Sequence, residues 1–499
     1  MPLCNKKMTF EECELAILRS AVDNMDVKKG KKMIDNPEIK EIMKIVENFI
    51  KNNKLICYGG TAINNILPEK DQFYNRDIEL PDYDFFSPTP LKHAKKLAKI
   101  YYKLGFKEVE AKSGVHAGTF KVFVNYIPVA DITYLVPELF KKLQENAVKV
   151  DNILYSPPNY LRMLMYLELS RPAGDVSRWE KVLKRLTLLN KNYPLKGSAC
   201  NSEKIQRIFE TGIKQFKKKY KNADSLTENI ANISTKKKLQ ETIFSLVLNS
   251  LINQECIFFG AYANKQYYKK ISKKIKDKNL RIPDFDVLSE EPQKCAAILK
   301  EVLTSHGFLN VRVYKRAGVG ELIAPHYELR LDKETLLFIY EPIACHSYNV
   351  IKIADKNVRI ATIDTMLSFY LAFLFIDREY YEKNRILCMC EYLFKAQQKN
   401  RLKQRGLLKR FSIECYGNQK SIQDLRAEKS TQYRRLKNNK HSKEYQWHFL
   451  RYIPYQIEEM RKKLKRKTRK KDRVKKSKVK KVKTKKNITS KAKKKTSKK

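Results

Sequence analysis

The sequence predicts a mixed α/β protein in which one domain occurs twice, the first copy intact and the second degenerate, between a helical N-terminal segment and a disordered basic tail. Three observations predict it. Two glycine-marked phrases recur: CYGGTAIN from Cys57 returns as FFGAYAN from Phe258, and LPDYDFFSPTP from Leu80 returns as IPDFDVLSEEP from Ile282. Their spacing repeats without insertion, because six residues separate Asp84 from Pro90 and Asp286 from Pro292, and 21 separate Asp84 from Gly105 and Asp286 from Gly307. Within the copies, short β-branched or alternating runs take turns with stretches of helical spacing.

The first 50 residues read as two helices, one opened by a capping box at Thr9 and Glu12 and one running about Glu38 to Asn52. Leu55 to Tyr58 is a short apolar strand, Gly59 and Gly60 make the turn, and Thr61 to Leu67 opens a helix. Asp82 to Phe86 alternates polar and aromatic residues as a strand does, Leu91 to Leu104 has helical spacing, and Thr119 to Tyr126 and Val129 to Tyr134 are strand runs. The helical stretch from Pro158 to Leu189 corresponds loosely to that from Asp364 to Phe394. LLFIYEPIACHSY around Pro342 is set against FVNYIPVADITY around Pro128, an alignment that puts Cys345 at the place of Asp131. The resulting division is 1–50 helical, 51–200 first copy, 201–250 helical connector, 251–400 second copy, 401–460 basic helical segment and 461–499 tail.

Over 499 residues, 103 Lys and Arg stand against 54 Asp and Glu, a net charge of +49, and hydrophobic residues make up 42%. That apolar share excludes a wholly disordered chain. No run of about 18 uncharged apolar residues appears, and the N-terminus lacks an apolar stretch behind a basic start, so a soluble intracellular protein is expected. The ten cysteines are too sparse for a disulfide scaffold and form no CxxC pair, which makes Cys388 and Cys390 core thiols. Residues 461–499 hold 24 Lys and Arg and one Asp, a net +23, leaving +26 on the rest. Tail and body thus favour one polyanionic partner, nucleic acid before an acidic membrane surface; KKLKRKTRKK also fits a nuclear-targeting role.

Side chains two apart on an extended strand share a face, so Asp82 and Asp84 project together while Tyr83 and Phe85 pack behind them. Asp131, among apolar neighbours on a later strand, would be a costly lone charge in a core. Three carboxylates together make a hard oxygen site suited to Mg²⁺, and two such ions can activate an attacking hydroxyl and stabilise a leaving pyrophosphate. Gly59, Gly60 and Thr61, between strand and helix, let the backbone approach a triphosphate at a helix N-terminus. Singly these signals are weak; in this order they spell nucleotidyl transfer.

The order GG, then D-x-D, then a single Asp resembles the DNA polymerase beta-like nucleotidyltransferases. CYGGTAINNILP, LPDYDFFSP and FKVFVNYIPVADITYL are similar to the poly(A) polymerase catalytic subunits of large DNA viruses, the poxvirus-like group. The resemblance covers about residues 50 to 400, and its 23-residue gap from Gly59 to Asp82 is longer than in many members of the wider superfamily. It implies template-free 3′ adenylation of RNA from ATP with two Mg²⁺ or Mn²⁺ ions. In that scheme Asp82 and Asp84 bind both metals and Asp131 binds the one that activates the primer hydroxyl. It also implies RNA 3′ ends and poly(A) as partners, no membrane, a homodimer or a viral processivity subunit, and a virion or host-cytoplasmic factory setting.

Arg178 and Lys181, near the start of a helix after the catalytic sheet, are placed by such enzymes on the triphosphate, a solvated basic face being the alternative. Trp179 reads as core packing before base stacking, and His116 in the loop SGVHAGT as a hydrogen-bonding group before a general base. The second copy keeps Asp284 and Asp286 but has Ala261 for Gly60 and Cys345 for Asp131, which leaves it catalytically dead as one wall of a cleft. Two other readings share these features: another terminal nucleotidyltransferase of uridylyl or CCA type, and a non-catalytic RNA-binding scaffold, against which the full set of three carboxylates argues.

Overall fold

The computed structural model describes residues 3–75, 77–200, 236–268, 284–332, 334–463 and 466. Helix α1 (Phe10–Ile34) opens with the Thr9–Glu12 capping box, and α2 (Pro37–Asn52) is capped by Asn36. The two differ in packing. Helix α1 buries no residue, whereas α2 buries Ile39, Ile42, Met43, Val46, Phe49 and Ile50, a stripe at three- and four-residue intervals. Each fully buried Phe, Leu or Ile of this kind contributes about 1.5–3 kcal/mol.

The first half continues through β1 (Ile56–Cys57), α3 (Gly59–Ile66), β2 (Asp84–Ser87), α4 (Pro90–Lys103), β3 (Val109–Ser113), β4 (Thr119–Val124), β5 (Ile127–Tyr134), α5 (Pro137–Glu145), β6 (Val148–Val150), β7 (Ile153–Tyr155), α6 (Pro158–Leu169) and α7 (Trp179–Asn192). The second half runs α8 (Lys236–Asn253), β8 (Ile257–Phe258), α9 (Ala261–Tyr268), β9 (Phe285–Leu288), α10 (Pro292–Ser305), β10 (Val311–Arg316), β11 (His326–Leu331), β12 (Glu334–Tyr340), β13 (His346–Ile353), β14 (Lys356–Ala361), α11 (Ile363–Phe373) and α12 (Lys383–Lys399). The chain then adds β15 (Cys415–Tyr416), α13 (Ile422–Leu436), α14 (Lys443–Phe449) and β16 (Arg451–Tyr452).

Two eight-stranded mixed sheets result, ordered β16-β3-β4-β5-β2-β1-β7-β6 and β10-β11-β12-β9-β8-β14-β13-β15. From β3 to β6 and from β10 to β13 the strands follow the same order with the same senses. β2 lies parallel to β5 and antiparallel to β1, as β9 lies parallel to β12 and antiparallel to β8. The tight β4–β5 turn is made by Asn125 and Tyr126 at φ 48° and 65°, as a two-residue hairpin needs. On one face of the first sheet, α4 sets Ala94, Leu97, Ala98 and Tyr101 against buried Val109, Ala111, Phe120, Val122 and Val124, and the Tyr101 hydroxyl donates to Ile42 O at 2.7 Å. The other face of β3, β4 and β5 carries Lys112, Lys121, Phe123 and Asp131, none of them buried.

The halves meet through corresponding helices, α6 packing on α11, and through Ser347 N donating to Ser170 O at 2.8 Å. The last strand returns to the first half: β16 pairs antiparallel with β3, so residues after the second sheet complete the edge of the first. Two differences from the sequence reading stand out. The strand expected from Asp82 begins at Asp84, because β1 ends at Cys57 and turns into α3, leaving Asp82 no ladder partner. Cys388 is paired with Cys200 as a disulfide, and Cys345 with Cys415 and Cys4 with Cys13 likewise, while Cys390 is a buried thiol. Partners 188 and 70 residues apart leave no local spacing to read. The 201–235 part of the connector and nearly all of the 461–499 tail lie outside the described residues.

Candidate active site

The short strand β1 aims the chain at a turn that only glycine fits. Gly59 has φ +75°, and a Cβ built on it would lie 2.6 Å from Asp84 Oδ2. Beside it, a Cβ on Gly60 would lie 2.3 Å from the Tyr74 hydroxyl and 2.9 Å from Arg185 Nη1. Helix α3 starts here, and its Thr61 hydroxyl donates to Asp82 O at 2.7 Å, tying the helix to the segment that carries the first carboxylate.

Asp84 lies against that turn, with Asp131 beside it on the neighbouring strand and Asp82 two residues before it. Asp84 and Asp131 are direct neighbours on the parallel strands β2 and β5, and Asp131 N donates to Tyr83 O at 3.0 Å. Burial, then the charges of Asp82 and Asp131, push the Asp84 carboxyl up to about 7, against the pull of Lys121 and Arg178. Asp82 is also raised, by burial and then Asp131, with Lys121 and Lys181 opposing. Asp82 and Asp131 thus act electrostatically on Asp84, and Asp131 on Asp82.

Two cations escaped the sequence reading. Lys121, opposite Asp131 on β4, forms an ion pair with its Oδ2. Arg185, one turn beyond Lys181 on α7, lies over the rings of Phe73 and Tyr74 at 4.9 and 5.5 Å and donates to the Tyr74 hydroxyl at 2.7 Å. The long gap between Gly59 and Asp82 builds that support: Asn64 Oδ1 accepts from Phe73 N and Tyr74 N at 2.8 and 2.9 Å, and Asp71 accepts from Lys191 and Asn192 of α7 at 2.7 and 2.9 Å. A charged residue at helical spacing from Lys181 was the available hint.

Arg178 and Lys181 lie within electrostatic reach of Asp84 and Asp82 respectively, and Arg178 Nε is 3.2 Å from Glu168 Oε1. Trp179 is a packing residue, its ring 5.5 Å from Phe411 and its Nε1 donating to Glu168 O at 3.0 Å. His116 is exposed at the β3–β4 loop.

A divalent cation suits this donor set chemically. Clustered, half-buried carboxylates that raise one another's affinity for protons are relieved by a hard cation between them. Among the described residues no three acidic, histidine or cysteine side chains form a ready-made ligand group, since the Asp131 carboxylate is turned to Lys121.

In the second half Phe259 N donates to Asp286 O at 2.9 Å as Tyr58 N does to Asp84 O, and a Cβ on Gly260 would lie 2.2 Å from Asp286 Oδ2. The sheet register corrects the sequence alignment at the third position. Asp84 faces Asp131, whereas Asp286 faces Phe338. Phe338, and not Cys345, occupies the place of Asp131; Cys345 follows the end of β12. Matching Pro342 with Pro128 misled, because the proline of the first copy lies inside its strand and that of the second lies beyond it.

Residues 44–175 match the family model described as "Poly(A) polymerase catalytic subunit". A protein of Acanthamoeba polyphaga mimivirus named "Putative poly(A) polymerase catalytic subunit" is 34% identical over 165 residues, 32% of this chain and 27% of the relative. A protein of the same name from African swine fever virus (isolate Tick/South Africa/Pretoriuskop Pr4/1996) is 34% identical over 184 residues, 36% of this chain and 38% of the relative. The chain thus spans less than two-fifths of the length of these curated relatives. The crystal structure of the Megavirus polyadenylate synthase superposes with a TM-score of 0.69 over 91% of this chain and 88% of that one, at 20% identity, a likeness of fold. The chain is thus similar in sequence, around residues 44–175, to poly(A) polymerase catalytic subunits of mimivirus and African swine fever virus, and in fold, over most of its length, to the Megavirus polyadenylate synthase.

Proposed function

We propose that the protein is a template-independent polynucleotide adenylyltransferase that adds AMP from ATP to RNA 3′ ends. The observation that carries this reading is Asp84 held against the Gly59 turn, with Asp131 facing it on the neighbouring strand and Asp82 two residues upstream. In the reaction the terminal 3′-hydroxyl oxygen bonds to the α-phosphorus of ATP, the bond to the β-phosphate oxygen breaks, pyrophosphate leaves and the hydroxyl proton passes to solvent. Asp82, Asp84 and Asp131 would hold Mg²⁺ or Mn²⁺, which when bound lowers the hydroxyl pKa and neutralises charge on the phosphates.

The chain's own groups bind and orient. Gly59, Gly60 and Thr61 offer backbone N–H groups and the favourable end of the α3 dipole to the triphosphate. Arg178, Lys181 and Arg185 supply positive charge beside it, and Arg185 is pre-set by its stack on Phe73 and Tyr74. Lys121 orients the Asp131 carboxylate. The second half, with Phe338 and Ala261 in place of a carboxylate and a glycine, is a non-catalytic copy that walls the cleft and holds RNA.

The viral relatives support a viral protein; the setting proposed for it is the virion or a cytoplasmic factory, and the partner a second copy or a processivity subunit. No helix among the described residues is long and apolar enough to cross a membrane. Incubation of the protein with Mg²⁺, a short RNA and each nucleoside triphosphate separately tests the reading: ATP-dependent extension is expected. Extension by UTP, or by CTP then ATP, would replace it with a uridylyl or CCA-type enzyme, and RNA binding without extension would leave a scaffold.

A further inference from the structure

Five residues on five neighbouring strands stand in one row. Arg451 on β16 faces Lys112 on β3, Lys112 faces Lys121 on β4, Lys121 faces Asp131 on β5, and Asp131 faces Asp84 on β2. Directly opposed residues share a face. The contacts agree: Lys121 pairs with Asp131, Lys112 Nζ lies 4.2 Å over the ring of Phe123, and Arg451 Nε is 3.0 Å from Glu110 Oε1. Resting on the polymerase reading, we infer that Arg451, Lys112 and Lys121 form a track that holds the phosphates of single-stranded RNA and delivers its 3′ end to Asp131.

Three physical points carry the inference. Like charges directly opposed across a sheet are destabilising, and this edge sets two such pairs in succession, Arg451 with Lys112 and Lys112 with Lys121. Asp131 and Glu110 pair with the two ends of the row, so a bound polyanion relieves chiefly Lys112 at its middle. The row is also open, the Arg451 side chain being 75% exposed and that of Lys121 40%, while the opposite face is closed by α4. Three strand spacings of about 4.8 Å put Arg451 roughly 14 Å from the strand of Asp131, a path for a few nucleotides. Phe123 adds a ring face on which a base can stack.

The sheet order separates this track from the nucleotide. Gly59 and Gly60 follow β1, on the far side of the carboxylate strands from β4, β3 and β16. Arg185 lies against Gly60 there. The carboxylates are thus flanked by two basic sets, one suited to the triphosphate and one to the primer.

The test uses the full chain, a fluorescein-labelled single-stranded oligo(A) and anisotropy titrations at several salt concentrations, beside steady-state extension. Lys112→Ala with Arg451→Ala should raise the RNA Kd and the KM for RNA about tenfold, and flatten the slope of log K against log salt by about 0.7 per lost contact. The KM for ATP and kcat at saturating RNA should stay at wild-type values, and Lys112→Arg should bind as wild type does. Glu110→Gln, which frees Arg451, should bind RNA at least as tightly as wild type. An unchanged RNA Kd and salt slope in the double variant would overturn the track. So would Glu110→Gln weakening RNA as much as Arg451→Ala, which marks Arg451 as a brace of the sheet edge, or polyglutamate displacing the oligonucleotide as well as unlabelled RNA does. Wild-type protein that binds the oligonucleotide yet adds no nucleotide would instead sink the polymerase reading, leaving the binding arm to judge the track.

Discussion

Gly59 lies so close to Asp84 that a Cβ at position 59 would sit 2.6 Å from the carboxylate oxygen. Backbone and acid are therefore one unit, and Gly59→Ala carries two penalties: a side chain at φ +75°, worth about 1–2 kcal/mol, and displacement of Asp84. A lowered denaturation midpoint together with at least a hundredfold loss of kcat is expected. Gly260→Ala meets Asp286 in the same way in the second half. It should cost stability while kcat is kept, and denaturant melts beside extension assays compare the two.

The carboxylates separate the halves further. Asp82→Ala, Asp84→Ala or Asp131→Ala each removes a group expected to hold a cation worth several kcal/mol of transition-state stabilisation, so losses of roughly 10³-fold or more are expected. Asp284→Asn with Asp286→Asn should leave most activity, since Phe338 faces Asp286 where a third carboxylate would be needed. Primer-extension rates check both, with circular dichroism reporting the fold. Extension at near wild-type rate by any of the first three would refute the site.

How much of this was legible follows from which distances are short in sequence. The glycines at 59 and 60 and the capping box at Thr9 are local patterns that local geometry was enough to read, whereas the strand assumed to carry both Asp82 and Asp84 starts only at Asp84. Asp131 stood out because an acid in an apolar strand needs a reason. Lys121 did not, because its role depends on the β4–β5 register that sets it opposite Asp131. Phe338 was missed for the same reason in reverse: the alignment rested on a proline, and only pairing with β9 identifies the residue across from Asp286. Arg185 needed the 67–82 segment folded back on α7, and the Cys200–Cys388 pair needed two distant stretches brought together.

Arg185 offers a test of that hidden support. Its guanidinium stacks on Phe73 and Tyr74 while bonding to the Tyr74 hydroxyl, a geometry an ammonium group cannot reproduce. Arg185→Lys is therefore expected to behave like Arg185→Ala, each raising the KM for ATP about tenfold, with the KM for RNA little changed. Full rescue by lysine would mean that charge alone matters there. Initial rates at varied ATP and fixed saturating RNA decide it.

Acid should destabilise the fold over a window set by three histidines. His346 is fully buried with neither ring nitrogen hydrogen-bonded, and burial, then Arg171, lowers its pKa to about 3. Burial also lowers His93, aided by Lys96 and Lys92, and His326, aided by Arg378 and Arg316 though opposed by the Ala324 carbonyl, each to about 4. In the unfolded chain all three titrate near 6.5, so below that pH the unfolded state binds protons that the folded state refuses. The sign follows: their contribution is complete above about pH 6.5 and is lost progressively as pH falls towards 4 and then 3. Urea midpoints measured from pH 7.5 to pH 4 should decline across that range. His346→Phe, which keeps a ring beside Phe369 and removes the titrating nitrogens, should shallow the decline. An identical pH profile in that variant would show that His346 contributes nothing to the acid sensitivity.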